Sequence, residues 1–83
     1  MRNLNALLVF AKVAETRSFT VAAQRLGLTA SAISKSVARL EQELGVKLLQ
    51  RSTRLVSLTD EGSSFYERCR NILAELDDAE SAV

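Results

Sequence analysis

The sequence has no histidine and a single cysteine, Cys69, among its 83 residues. Zinc sites are built largely from cysteine and histidine, and a Ser–His–Asp triad needs a histidine as its general base. The composition therefore argues against a zinc site, a Cys–His nucleophile and a hydrolytic triad. One cysteine cannot form an internal disulfide, which fits a reducing compartment. We predict no catalytic residue, no metal ligand and no cofactor, and hence no enzyme.

The sequence also has no proline, and no apolar run reaches the roughly 18 residues that a transmembrane helix needs. The first residues lack the cleavage pattern of a signal peptide. Hydrophobic residues make up 47% of the chain and charged residues 25%, which is ordinary for a globular protein. We expect one cytoplasmic domain with a modest core and no membrane partner.

The net charge of +1 conceals a segregation of charge along the chain. Residues 17–54 contain seven basic and two acidic side chains, whereas the remaining residues contain four basic and eight acidic ones. A basic centre between acidic ends is typical of a patch that binds a polyanion. The basic residues of this centre are Arg17, Arg25, Lys35, Arg39, Lys47, Arg51 and Arg54.

Residues 29–44 have the pattern of an amphipathic helix. Thr29 is a good N-cap, and Gly45 is a natural helix stop. The apolar stripe, at spacings of four, three and four, consists of Ile33, Val37, Leu40 and Leu44. The opposite face is small, polar and basic, with Ser31, Lys35, Ala38, Arg39 and Gln42. Taken alone, this pattern fits a solvated surface helix better than a helix that reads a polar partner.

Two further helices are predicted before this one. The first spans residues 3–16, and the second is the short segment FTVAAQRL after a Ser18 cap. Gly27 can end the second helix, so that only Gly27 and Leu28 separate it from Thr29. Helices joined this tightly cross at a steep angle, as in a helix-turn-helix, although a plain αα-hairpin would have the same pattern.

Two short β segments are predicted after Gly45, around residues 47–50 and 55–58. The turn between them, Arg51-Ser52-Thr53-Arg54, is polar and carries two arginines. In isolation this turn would be an ordinary solvated hairpin tip. Next to a basic helix, it is better interpreted as a wing that contacts DNA.

A long last helix is predicted from Thr59 to the end of the sequence. Its apolar residues repeat every 3.5 positions, as in a coiled coil. About 24 helical residues would reach roughly 36 Å, more than a domain of this size can cover. We predict a homodimer through this helix; the alternative is that the helix folds back onto the first helix of its own chain. The predicted interface consists of Leu4, Leu7, Phe65, Cys69, Ile72, Leu73, Leu76 and Ala79.

In this order of elements, the chain resembles the N-terminal domain of LysR-type transcriptional regulators. The resemblance is densest over residues 18–62, in the run Ala32-Ile33-Ser34-Lys35, in LEQELGV and in LTDEG. It implies a mainly α fold, with a winged helix-turn-helix of three core helices and a short β-hairpin over residues 1–58. A linker and dimerisation helix over residues 59–83 would follow. A small-molecule effector would bind only to a further domain that is absent from these 83 residues.

The resemblance further implies sequence-specific binding to double-stranded DNA, on an inverted-repeat operator, in transcriptional regulation. The helix over residues 29–44 would enter the major groove, and residues 51–54 would lie on the backbone or in the minor groove. The base-reading candidates are Ala30, Ser31, Ser34, Lys35 and Arg39. The backbone candidates are Ser18, Thr20, Thr29, Ser36, Arg51, Thr53 and Arg54.

Two departures from the family pattern affect readout. Many relatives have glutamine where this chain has Ala30, so that a base-reading amide is missing. A basic residue is also common in the family where this chain has Ala38, and the charge lies at Arg39 instead. Lys35 stands where the family commonly has a basic residue and can donate to guanine, but it discriminates less than the bidentate fork of arginine. The alternative function is a protein-interaction module whose basic face meets an acidic partner.

Overall fold

Four helices and one two-stranded hairpin make up the part of the chain that the computed structural model describes, residues 4–51 and 56–83. The helices are α1 (Leu4–Thr16), α2 (Phe19–Leu26), α3 (Ala30–Leu44) and α4 (Asp60–Ser81), and the strands are β1 (Leu49–Arg51) and β2 (Val56–Leu58). The strands pair antiparallel, with Leu49 opposite Leu58 and Arg51 opposite Val56. The predicted order of elements is confirmed. Thr53 and Arg54 lie outside the described residues.

Three hydroxyl side chains begin helices, as the sequence predicts. Each accepts a backbone N–H from three residues further on, which satisfies a donor that the first helical turn leaves unpaired. These bonds join Ser18 to Val21 at 3.1 Å, Thr29 to Ala32 at 3.1 Å and Thr59 to Gly62 at 2.9 Å. Gly27 and Gly45 end α2 and α3 in the left-handed conformation, with φ of 67° and 73°.

The core is built around α1. Phe10 and Val13 of this helix are fully buried, and the ring of Phe10 lies 5.6 Å from that of Phe65 and 6.4 Å from that of Tyr66. The other elements contribute Ala22, Ala23, Ile33, Val37, Leu40, Leu48, Leu49 and Cys69. Leu4 and Leu8 are instead 52% and 40% exposed. The buried face of α1 is thus centred on Phe10 and Val13.

The two halves of α4 differ in their surroundings. The first half packs into the core, where Cys69 is fully buried. At its start, Gly62 approaches Leu48, the residue before β1, so closely that an added Cβ would fall on the Leu48 carbonyl oxygen. Residues 74–83 are all exposed. The first half of α4 therefore folds back onto α1, whereas none of residues 74–83 is buried by the parts of the chain that the structure describes.

This arrangement corrects two of the predicted interface residues. Leu7 and Cys69 are 2% and 0% exposed within a single chain, because they pack in its core. They have almost no surface left for a second subunit. Phe65 and Leu73 are half-buried at the edge of the core, whereas Leu4, Ile72, Leu76 and Ala79 are exposed.

Candidate nucleic-acid interface

The third helix has one buried face and one exposed face. Ile33, Val37 and Leu40 are at most 1% exposed and anchor α3 against α1 and α2. Leu44, predicted to continue this stripe, is 37% exposed at the end of the helix. The opposite face is exposed as predicted, with Ser31, Lys35, Ala38, Arg39 and Gln42. Its small and basic side chains are therefore available to a partner.

The connection between α2 and α3 has the tight geometry of a helix-turn-helix. The N–H groups of Gly27 and Leu28 both donate to the carbonyl oxygen of Ala23, the latter at 2.9 Å. Ala22 and Ala23 are buried, and their small side chains allow α3 to approach α2 closely. The turn thus fixes the angle at which α3 presents its exposed face.

Two shallow grooves flank the exposed face of α3. One separates α3 from the hairpin and is lined by Ser34, Ala38, Lys47, Gln50 and Arg51, among others. The other separates α3 from the start of α1 and is lined by Ala6, Lys35, Ser36 and Arg39, among others. The predicted readers Lys35 and Arg39 thus lie towards α1, and Ser34 lies towards the hairpin.

The predicted contact residues differ in their exposure. Those that are exposed are Thr20, Thr29, Ala30, Ser31, Lys35, Arg39 and Arg51. Ser18, Ser34 and Ser36 are half-buried, and the Ser18 hydroxyl already accepts the N–H of Val21. The Thr29 hydroxyl likewise caps α3. The helix caps leave these two oxygens with less capacity for a further partner than the hydroxyls of Thr20 and Ser31.

The basic side chains between residues 17 and 51 divide into a group that pairs within the fold, to which Lys47 belongs through Glu41, and a group without a carboxylate partner among the described residues. Arg17 donates from Nε to the carbonyl oxygen of Ala14 at 3.1 Å, and Arg25 lies 3.8 Å from Glu15, so both serve the junction of α1 with α2. Across residues 4–51 and 56–83, no carboxylate forms an ion pair with Lys35, Arg39 or Arg51. Their charges are therefore not neutralised locally, which favours an anionic partner for α3 and the adjacent strand.

Glu41 is a buried carboxylate that the sequence analysis did not single out. It is 8% exposed, and its Oε2 accepts the backbone N–H groups of Leu48 at 2.7 Å and Leu49 at 3.2 Å. Its other oxygen lies 3.9 Å from Nζ of the exposed Lys47. Glu41 therefore ties the start of the hairpin to the last turn of α3. The helical wheel alone places it beside the stripe, on the same side as Val37.

Arg51 links three elements of the predicted interface. From β1, its Nη1 donates to the Ser34 hydroxyl of α3 at 3.3 Å. Its guanidinium carbon lies 4.5 Å from the ring centroid of Phe19, the first residue of α2. This is a cation–π arrangement, in which the ring quadrupole attracts the cation. Phe19 carries no signal for this role in the sequence, because its partner is 32 positions away.

Cys69 has the properties of a packing residue. Burial raises the pKa of its thiol from 9.0 to about 11, because desolvation disfavours the thiolate. The thiol is therefore protonated and unreactive near neutral pH. Within the described ranges, no cluster of three potential metal ligands is present, and no helix is long and apolar enough to cross a membrane.

Comparison with known proteins identifies the family. A model of the lysR family of bacterial regulatory helix-turn-helix proteins matches residues 4–63. The chain belongs to the LysR family. It is 45% identical over 83 residues to an uncharacterised HTH-type transcriptional regulator of Haemophilus influenzae, covering 100% of this chain and 29% of the relative. It is 50% identical over 78 residues to the HTH-type transcriptional activator AaeR of Escherichia coli K12, covering 94% and 25% respectively.

Solved LysR-family structures have the same fold. The BenM_DBD/catB site 1 DNA complex has a TM-score of 0.93 and 38% identity, covering 96% of this chain and 89% of that one. The CbnR_DBD–DNA complex has a TM-score of 0.89 and 35% identity, covering 96% and 92%. Full-length BenM R156H has a TM-score of 0.90, with 26% of that chain covered. The mainly α winged helix-turn-helix is thereby confirmed. The chain spans about a quarter of the curated relatives' length.

Proposed function

We propose that this chain binds double-stranded DNA sequence-specifically and serves in transcriptional regulation. The observation that carries the proposal is the exposed face of α3, whose Lys35 and Arg39 have no carboxylate partner among the described residues. Two solved structures with the same fold are complexes with DNA. In this proposal α3 enters the major groove, and the hairpin lies against the backbone or in the minor groove.

The proposed direct readout depends on few side chains. Ala30 offers only a methyl group, suited to contact with thymine, and Ser31 offers a hydroxyl. Lys35 and Arg39 provide the long donors that reach guanine O6 or N7. Thr20 and the start of α2 are proposed to hold a backbone phosphate, because a helix N-terminus favours an anion.

A homodimer through the exposed apolar residues of α1 and α4 is part of the proposal. Leu4, Leu8, Ile72 and Leu76 are each at least 40% exposed, although all four are large and apolar. Clusters of large, exposed apolar side chains indicate a protein–protein contact. Compared with the predicted interface, Leu8 is added, and Leu7 and Cys69 are removed. A symmetric dimer would match an operator of inverted half-sites.

The proposal extends to the arrangement of the whole regulator. Residues 1–58 would form the DNA-binding unit and residues 59–83 the linker helix, with the first half of α4 sharing the core of that unit. The effector-binding domain would lie outside these 83 residues, and the regulator would work in the cytoplasm, where bacterial DNA lies. Catalysis is not part of the proposal, because the named relatives are transcriptional regulators.

Selection of bound fragments from genomic DNA, followed by titration of an enriched site at several salt concentrations, tests this function. We expect an enriched motif and an affinity that falls steeply with salt, because binding releases counterions from DNA. Absence of any enriched motif would contradict sequence-specific binding and favour an acidic protein partner.

Substitution of Lys35 tests its role in base readout. Lys35→Ala should cost about 1–3 kcal/mol of binding free energy at the base position that Lys35 contacts, and should flatten discrimination there. Arg70→Ala on α4 removes the same charge elsewhere and should preserve site preference.

A further inference from the structure

Arg51 differs from the other basic residues of the interface, because its side chain is held by two elements besides its own. The guanidinium carbon lies over the Phe19 ring, 4.5 Å from its centroid, and the Ser34 hydroxyl accepts one of the guanidinium N–H groups at 3.3 Å. Phe19 is half-buried and packs against the core, so the ring is a fixed platform. Ser34 is half-buried on the groove between α3 and the hairpin.

A cation–π contact and a hydrogen bond together orient a guanidinium. Arginine has five N–H donors in one plane, and the contact with the ring uses none of its N–H groups as a hydrogen-bond donor. The Nη1 group of Arg51 donates to Ser34. In the described part of the chain, no carboxylate forms an ion pair with the Arg51 guanidinium. A phosphate is an acceptor that fits a preorganised planar fork, because two parallel N–H···O bonds can form.

Resting on the proposed function, we propose that Phe19 and Ser34 are positioning residues that hold Arg51 to bind one phosphate of the DNA backbone. Ser34, predicted from the sequence as a base reader, would thus act through Arg51. A side chain held in its bound conformation loses less entropy when it binds. The contact also connects the start of α2, the middle of α3 and β1, so one phosphate would fix the positions of all three relative to the duplex.

The test is a double-mutant cycle on binding of the 83-residue chain to a duplex of about 30 base pairs, which is about three helical turns. The duplex is of mixed sequence at low salt, so that the assay reads backbone contacts. Arg51→Ala should weaken binding about tenfold and lower the salt slope by about one. Phe19→Leu and Ser34→Ala should each weaken binding about threefold in the wild-type background. Both should have no further effect in the Arg51→Ala background, since a positioning residue acts only through its target.

Conservative variants and a charge control complete the design. Phe19→Tyr and Ser34→Thr restore a ring face and a hydroxyl, and should recover most of the lost affinity. Arg70, whose guanidinium carbon lies 5.9 Å from the Tyr66 ring, is a matched arginine on α4, and Arg70→Ala should change binding less than twofold. Circular dichroism melts show which variants are folded at the assay temperature.

Each outcome decides the proposal. If Ser34→Ala weakened binding equally with and without Arg51, Ser34 would contact DNA directly and its positioning role would be wrong. If Phe19→Leu and Ser34→Ala bound like the wild type while Arg51→Ala did not, Arg51 would need no positioning, and DNA binding itself would stand. If the wild-type chain bound no duplex at any salt concentration, the proposed function would fail together with this inference.

Discussion

Helices α3 and α4 have the same apolar spacing but different surroundings. In α3, Ile33 and Val37 are 0% and 1% exposed, because α1 and α2 cover them. In α4, Ile72 and Leu76 are 45% and 41% exposed, although they continue an equally regular stripe. The comparison teaches that periodicity identifies the face of a helix that needs cover. The packing of the rest of the chain decides whether that cover is its own core or a second molecule.

The largest expected effect is on the free energy of unfolding, when one residue of each apolar stripe is replaced by alanine. Ile33→Ala should lower the free energy of unfolding by about 2–5 kcal/mol, because it leaves a cavity in a close-packed core. Ile72→Ala should change it by less than about 0.5 kcal/mol in dilute, monomeric protein, since the side chain is already half in water. Urea denaturation at two protein concentrations measures both. Equal losses in dilute protein would show that the α4 stripe is covered by its own chain.

The second prediction tests the partner of the α4 stripe. Ile72→Asp would bury an unpaired charge in the proposed interface and should weaken dimerisation about 100-fold or more. Asn71→Asp introduces the same charge at the exposed neighbouring position and should leave the dimer intact. Light scattering or analytical ultracentrifugation distinguishes the two. A dimer that survives Ile72→Asp would place the interface elsewhere.

The third prediction concerns how α3 holds the hairpin. Glu41→Ala removes the acceptor of two backbone N–H groups and should destabilise the chain by about 1–3 kcal/mol. Glu43 is exposed two positions further along α3, so Glu43→Ala removes an equal charge and should cost less than about 0.5 kcal/mol. Thermal or urea melts give both values. A similar cost for the two variants would mean that the bonds to Leu48 and Leu49 contribute little.

The smallest predicted effect concerns the buried thiol at the junction of the two halves of α4. Because the folded pKa of Cys69 is about 11 against 9.0, its thiolate is about 100-fold rarer than in the unfolded chain near pH 8. Alkylation by iodoacetamide should be correspondingly slow until the protein unfolds. Between pH 9 and about 11 the unfolded chain loses the Cys69 proton while the folded chain keeps it. The free energy of unfolding is therefore unaffected by this group below pH 9 and falls as pH rises through 11. Cys69→Ala should remove that part of the pH dependence; rapid alkylation of folded protein would contradict the burial.

Local signals in the sequence were sufficient for the elements of the fold. Hydroxyl residues at Ser18, Thr29 and Thr59 and glycines at Gly27 and Gly45 mark helix ends, because capping depends on residues three or four positions apart. The exposed face of α3 followed in the same way from helical geometry. The exposure of Lys35 and Arg39 on that face is therefore predictable without a structure.

The contacts that organise the candidate interface are of another kind. The Phe19–Arg51 pair and the bonds that Leu48 and Leu49 donate to Glu41 join residues that are distant along the chain or lie outside one element. No periodicity encodes such pairs, because they depend on how α2, α3 and β1 meet. The same limit applies to Leu7 and Cys69, which the sequence places in a dimer interface: helical spacing identifies the apolar face of α1 and of α4, but not which surface covers it.

The sequence by itself determined the helix boundaries, the tight turn before α3, the segregation of charge and the membership of the LysR family. These features are local or cumulative along the chain, so they can be read without coordinates. Only the tertiary structure decided which apolar residues are buried, which arginines are engaged within the fold and which carboxylate holds the hairpin. Burial and pairing depend on the approach of distant segments, and that approach results from packing the whole core together.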